Sequence, residues 1–124
     1  MKVFKLEGEG EEAIVIIDRK EGNFEFKGRF MPQKTKEFFQ PVFDTITEYV
    51  VKPCKKTTLT FKLDYFNTAS SKKILDIFII FEQIQTKNQE VVVNWYSSES
   101  DSDILDAGKG YSELVKLPFN FLTF

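Results

Sequence analysis

The 124-residue chain fits a single domain over residues 1–124, a size at which roughly two thirds of the unfolded surface can be buried. Its hydrophobic fraction of 42%, with 14 phenylalanines, supports a well-filled core and excludes a disordered chain. A formal charge of −2 excludes the electrostatic footprint of a nucleic-acid binder, and the lysines are scattered apart from Lys55-Lys56 and Lys72-Lys73, unlike a polybasic membrane anchor.

In chain order, "VFKLEG" (3–8) and "AIVIID" (13–18) read as strands, joined across Gly8 and Gly10. The turn "RKEGN" leads into "FEFKGRF", where Phe24, Phe26 and Gly28 face one way and Glu25 and Lys27 the other. An antiparallel meander follows from these three. Beyond Pro32, the spacing of Phe38, Phe39, Val42, Phe43, Ile46 and Tyr49/Val50 predicts a helix capped by Thr35, bent at Pro41 and ended by Pro53.

"TTLTFKLDYF" (57–66) is the clearest strand, with Leu59, Phe61, Leu63 and Tyr65 alternating against polar residues. From Ile74 to Phe81 only Asp76 is polar, so periodicity cannot separate a helix from a buried strand, but with "SSKK" before and "EQIQTKN" after, the element runs about 17 residues, which favours a helix. "QEVVVNWY" (89–96) is a further strand, so strand, helix and strand form a βαβ crossover with parallel strands. An acidic loop and a short helix weakened by Gly108 and Gly110 come next, and "KLPFNFLTF" adds a last short strand or packed tail. The predicted fold class is α/β, a mixed sheet with an N-terminal antiparallel meander and helices packed on it.

Several chemistries are disfavoured. The chain has no histidine, which removes the commonest general base and metal ligand, so an enzyme would have to use carboxylates or lysine. Cys54 is the single cysteine, allowing no intramolecular disulfide and pointing to a reducing compartment. "MKVFKLEGEGEE" has no apolar signal core and no run approaches the ~18 residues that span a bilayer, so a cytoplasmic protein is expected. Glu99, Asp101, Asp103 and Asp106 lack the spacing of a calcium loop and read as carboxylates preceding a helix. Neither a metal nor another cofactor is expected. Trp95 reads as core and Tyr96 as the opposite face.

The cluster Thr68, Ser70 and Ser71 after Asn67, at the mouth of the most apolar helix, is the feature least explained by packing. One hydroxyl suffices as an N-cap, and here there are three. No nucleophile signature accompanies them, and no glycines make a phosphate-cradling loop. The residues alone leave caps ahead of the other readings without deciding the matter.

"FEFKGRFMP", "EFFQPVFDTI", "LTFKLDYFNTASSKKILDIF", "VVVNWYSSESD", "ILDAGKGY" and "LPFNF" resemble, in order and spacing, the SiaC family of bacterial regulatory phosphoproteins. The resemblance spans about residues 3–122, with "YFNTASSK" and "VNWY" its most specific parts. It implies a STAS-like fold, similar to anti-sigma-factor antagonists, and a partner-switching regulator rather than an enzyme. The implied acceptor of phosphate is Thr68, with Ser70 and Ser71 as lesser candidates; Ala69 stands where relatives often carry serine. The implied partners are an anti-sigma-factor-like Ser/Thr kinase, a PP2C-type phosphatase and a diguanylate cyclase. The unphosphorylated form would activate the cyclase, linking the protein to cyclic di-GMP and biofilm formation. Asn67, Thr68, Ser70, Ser71 and Lys72 are the implied partner-binding surface. A competing reading is a small-molecule or catalytic pocket near Asn67, Thr68 and Trp95.

Overall fold

A computed structural model of the chain describes residues 3–7, 13–32, 34–85 and 88–124. The elements are β1 (Val3–Glu7), β2 (Ile14–Asp18), β3 (Asn23–Phe30), α1 (Thr35–Tyr49), β4 (Lys56–Phe66), α2 (Thr68–Ile84), β5 (Glu90–Ser97), α3 (Ser102–Leu114) and β6 (Phe119–Thr123). The strands lie in one sheet in sequence order, β1-β2-β3-β4-β5-β6. β1, β2 and β3 pair antiparallel, which is the expected meander, and β3 to β6 pair parallel. The predicted βαβ unit is β4–α2–β5. Two more parallel crossovers flank it, β3–α1–β4 and β5–α3–β6, so the C-terminal segment is a sheet strand. The glycines expected at the first join, Gly8 and Gly10, lie outside the described residues.

Crossovers of one hand that step steadily along a sheet put their helices on the same face. Burial follows this rule. Val15 and Ile17, Phe24 and Phe26, Leu59 and Phe61, and Val93 and Trp95 point under the helices with 0–1% exposure, while the alternate residues of each strand stay half-buried. From the other side, Phe39, Val42 and Ile46 of α1 and Ile74, Ile77, Phe78 and Phe81 of α2 close the core. Phe26 stacks on Phe61 (centroids 4.5 Å apart), and Phe61 stacks on Trp95 (5.5 Å), so one aromatic row crosses three strands.

Three local expectations change. Thr35 is the first helical residue rather than the cap, which is Lys34 with no side-chain hydrogen bond; α1 runs through Pro41 and stops at Tyr49, ahead of Pro53. The β3–β4 register shifts after Gly28, so that Arg29 faces Tyr65 and Asp64 is the extra residue. A one-residue slip reverses the faces beyond it. Tyr65 therefore turns outward at 46% exposure, and Phe66 turns in against Trp95.

The third change is α3, which is not cut short by its glycines. It continues to Leu114 because Gly108 lies against the Trp95 indole, where an added Cβ would sit 2.5 Å from the ring. The glycine is there for close packing, and the Trp95 Nε1–H donates to the Ile104 carbonyl at 2.8 Å across the same contact.

Candidate functional site: the first turn of α2

β4 ends at Phe66 and α2 begins at Thr68, leaving Asn67 as the only residue between them. Its extended backbone (φ −84°, ψ 174°) and short amide side chain suit an N-cap, and the Asn67 Oδ1 accepts from the Ser70 N–H at 2.8 Å. The Asn67 N–H donates to the Phe30 carbonyl at 3.0 Å, tying this corner to the end of β3. The first intrahelical bond runs from the Ser71 N–H to the Asn67 carbonyl (2.9 Å). The N–H groups of Thr68 and Ala69 therefore point out of the helix end without an intrahelical acceptor.

The three hydroxyls expected to share the capping have separate positions. Thr68 is exposed at the head of the helix, and Lys72, one turn on, is exposed as well. Ser70 is fully buried, and its Oγ has no hydrogen-bond partner. Ser71 is half-buried and held by Tyr111 of α3. The Tyr111 hydroxyl donates to the Ser71 carbonyl at 2.9 Å, which leaves the Ser71 hydroxyl to donate to the phenol oxygen at 3.0 Å. Burial raises the Tyr111 pKa, partly offset by its bond to Ser71. The phenol is thus a persistent donor at neutral pH.

Sequence reasoning grouped Asn67 with the hydroxyls but gave it no capping role, although Asn between a strand and a helix is a recognisable cap. Tyr111 was missed as a support. Its partner lies 40 residues away, and no local pattern announces such a pair. Trp95 does not join Asn67 and Thr68 in a pocket: it is fully buried beneath Phe66, Tyr111 and Gly108.

The remaining candidates have structural roles. Asp101 caps α3 by accepting from the Ile104 N–H at 3.1 Å, and Asp103 sits in the first turn of that helix. Among the described residues no group of His, Cys, Asp and Glu is placed to hold a metal ion. The Cys54 thiol donates to the carbonyls of Arg19 and Lys20 at 3.4 and 3.3 Å, at the edge of a shallow cleft lined by Arg19, Lys20, Glu48, Tyr49 and Lys52. That cleft lies where β4 begins, at the opposite end of the strand from Thr68. Among the described residues no helix is long and apolar enough to cross a membrane.

Residues 6–124 match the profile of the SiaC family regulatory phosphoproteins. The chain belongs to the SiaC family. Its fold agrees closely with two crystal structures from Pseudomonas aeruginosa. One is that of diguanylate cyclase SiaD in complex with its activator SiaC (TM-score 0.90, 20% identity, 98% of this chain and 99% of that chain covered). The other is apo-SiaC (TM-score 0.87, 20% identity, the same coverage). An uncharacterized protein of Pseudomonas aeruginosa strain UCBPP-PA14 is 22% identical over 102 residues, covering 82% of this chain and 81% of the relative. The family is thus one of regulators, and the mixed α/β sheet is its shared architecture.

Proposed function

We propose that the chain is a partner-switching phosphoprotein, one SiaC-type domain over residues 1–124 that works in the cytoplasm and is not an enzyme. Unphosphorylated, it binds and activates a diguanylate cyclase, as the activator in the SiaD complex does. An anti-sigma-factor-like Ser/Thr kinase and a PP2C-type phosphatase set its state at Thr68. The observation that carries this reading is the sorting of the hydroxyls: Thr68 is open to a kinase, Ser70 is sealed in the core, and Ser71 is engaged by Tyr111. Phosphate on Ser70 or Ser71 would first require the turn to open. Asn67, Thr68 and Lys72 then form the partner surface, with Ser70 and Ser71 supporting it from below.

The energetics favour exclusion of the partner over a change of fold. A phosphate adds about −1.5 to −2 charges, and the end of a helix with free N–H groups stabilises a nearby anion by about 0.3–1 kcal/mol. Residue Thr68 is exposed, so modification displaces no core group. A partner packed over the turn would have to desolvate an unpaired dianion, at several kcal/mol. About 2.7 kcal/mol already weakens binding roughly a hundredfold.

The test is affinity purification from native cells with Thr68→Ala and Thr68→Asp baits, partners being identified by mass spectrometry. A cyclase held by the alanine bait and absent from the aspartate bait supports the switch. Identical partners on both, or unfolding of Thr68→Asp, rejects it.

A further inference from the structure

At the end of the sheet remote from Thr68, the turn between β2 and β3 is fastened to the loop that follows α1. Gly22 has φ +71°, and a Cβ there would lie 2.6 Å from the Lys56 carbonyl oxygen and 3.2 Å from the Cys54 Cβ, so this approach requires glycine. The Gly22 carbonyl accepts from the Thr58 N–H at 2.8 Å, and the Cys54 thiol donates to the Arg19 and Lys20 carbonyls. Cys54 is itself fixed by its N–H, which donates to the Tyr49 hydroxyl at 3.1 Å. That hydroxyl shares a buried 2.7 Å bond with Thr57. These bonds hold Arg19 and Lys20 beside the end of α1, where with Glu48, Tyr49 and Lys52 they line a cleft of about 360 Å³.

We propose that this cleft binds a compact polyanion of the phosphate class, with inorganic pyrophosphate as its simplest representative. The inference is independent of the switch at Thr68. Three cations and one carboxylate line the cleft, on a chain whose formal charge is −2, so the local sign opposes that of the whole. The carboxylate is already engaged, Glu48 accepting from the Arg19 guanidinium at 2.8 Å. Asp18, where the turn begins, accepts from the Glu21 N–H at 3.2 Å. Among the described residues no carboxylate pairs with Lys20 or Lys52, and both are exposed. The C-terminus of α1 accounts for a cation at Lys52. It does not account for Arg19 and Lys20, which a separate turn carries to the same place. Lysine ammoniums are point charges with three donors each, suited to the many acceptor oxygens of phosphate, and a polyanion can match both of them where a monoanion leaves one unmatched. Size sets the class, since the volume falls at the low end of the roughly 300–1,000 Å³ of small-molecule sites.

The experiment titrates the full chain with inorganic pyrophosphate by calorimetry, with amide NMR shifts to locate the ligand and citrate as a carboxylate control. The wild-type chain is expected to bind saturably with a Kd of about 1 mM or tighter, its shifts concentrated at residues 19–22 and 48–54. Lys20→Gln combined with Lys52→Gln should keep the wild-type melting temperature and bind about tenfold more weakly. Lys36→Gln combined with Lys109→Gln, an equal charge change at exposed sites elsewhere, should alter binding by less than about twofold. Glu48→Gln removes the opposing carboxylate and should tighten binding about threefold. No saturable heat or shift up to about 10 mM overturns the proposal. Equal weakening by the two lysine pairs overturns it as well, because the effect is then one of overall charge. Citrate bound as tightly as pyrophosphate overturns the assignment to phosphate.

Discussion

Replacing Tyr111 by phenylalanine isolates the hydroxyl that joins α3 to the first turn of α2. The ring contacts with Phe78 (5.2 Å) and Trp95 (5.6 Å) are retained, so no cavity opens. Two hydrogen bonds are lost, one to the Ser71 carbonyl and one from its hydroxyl. A typical net hydrogen bond contributes about 0.5–1.5 kcal/mol, and the half-buried Ser71 recovers part of the loss from water, so about 1–2 kcal/mol of destabilisation is expected. For a chain of this length that corresponds to roughly 3–5 °C in Tm for each kcal/mol. Urea denaturation followed by the fluorescence of Trp95, the sole tryptophan, reads it directly. Ser71→Ala is expected to lose less, since the carbonyl bond survives, and the double variant to fall short of the sum. A Tyr111→Phe change below about 0.3 kcal/mol at unchanged denaturant slope would refute the reasoning.

Gly108→Ala and Gly110→Ala are expected to move stability in opposite directions. At Gly108 the Cβ meets Trp95 at 2.5 Å and overpacking of about 1–3 kcal/mol exceeds the helix-propensity gain, whereas at Gly110 nothing lies within 4 Å and about 0.5–1 kcal/mol is gained. Thermal melts of the two variants check this. Ser70→Ala removes a buried hydroxyl that has no partner and is expected to leave stability unchanged or raise it by about 1 kcal/mol, whereas Asn67→Ala loses the cap and about 0.5–2 kcal/mol. Denaturant titrations of that pair decide whether capping belongs to the asparagine. Alkaline pH supplies a fourth test. Burial raises the pKa values of Tyr49 and Tyr111, so the folded state retains more protons than the unfolded state, and stability is level below about pH 10 and falls as pH rises above it. Tyr111→Phe should flatten part of that fall in urea titrations between pH 8 and 11.

The alternation of apolar residues made the strands legible, because each has one face under the helices and one outside. The length of the segment built around Ile74–Phe81, with "SSKK" before it and "EQIQTKN" after it, identified a helix where periodicity could not, and the structure sets that helix at Thr68–Ile84. What escaped the sequence was pairwise. The slip at Asp64 that turns Tyr65 outward belongs to the register between two strands, and β4 read alone continues its alternation. Gly108 read as a helix breaker because its reason for being small is the indole of Trp95 on another element. At the site itself the resemblance selected Thr68, while composition saw three equivalent hydroxyls. Only the fold distinguishes them, by sealing one and engaging another.

That sorting also bounds what the proposed switch can achieve. A phosphate on Thr68 excludes a partner only while the first turn of α2 holds it at the interface. If the turn frays, the modified residue swings aside and the partner docks over an opened end. The discrimination between the two states is therefore capped by the free energy of opening that turn, however large the desolvation penalty of the dianion. A hundredfold switch needs about 2.7 kcal/mol of resistance to opening. The Asn67 cap and the Tyr111 bonds to Ser71 are the described contacts that supply it, and Tyr111 is itself braced by Trp95 and Phe78 in the core. Asn67→Ala and Tyr111→Phe should then speed hydrogen exchange at the Ser70 and Ser71 amides. In the same proteins, Thr68→Asp should lose part of its effect on the partner while binding by the unmodified form changes little. Unaltered discrimination in a protein whose first turn exchanges faster would mean that the phosphate acts through something other than its fixed position.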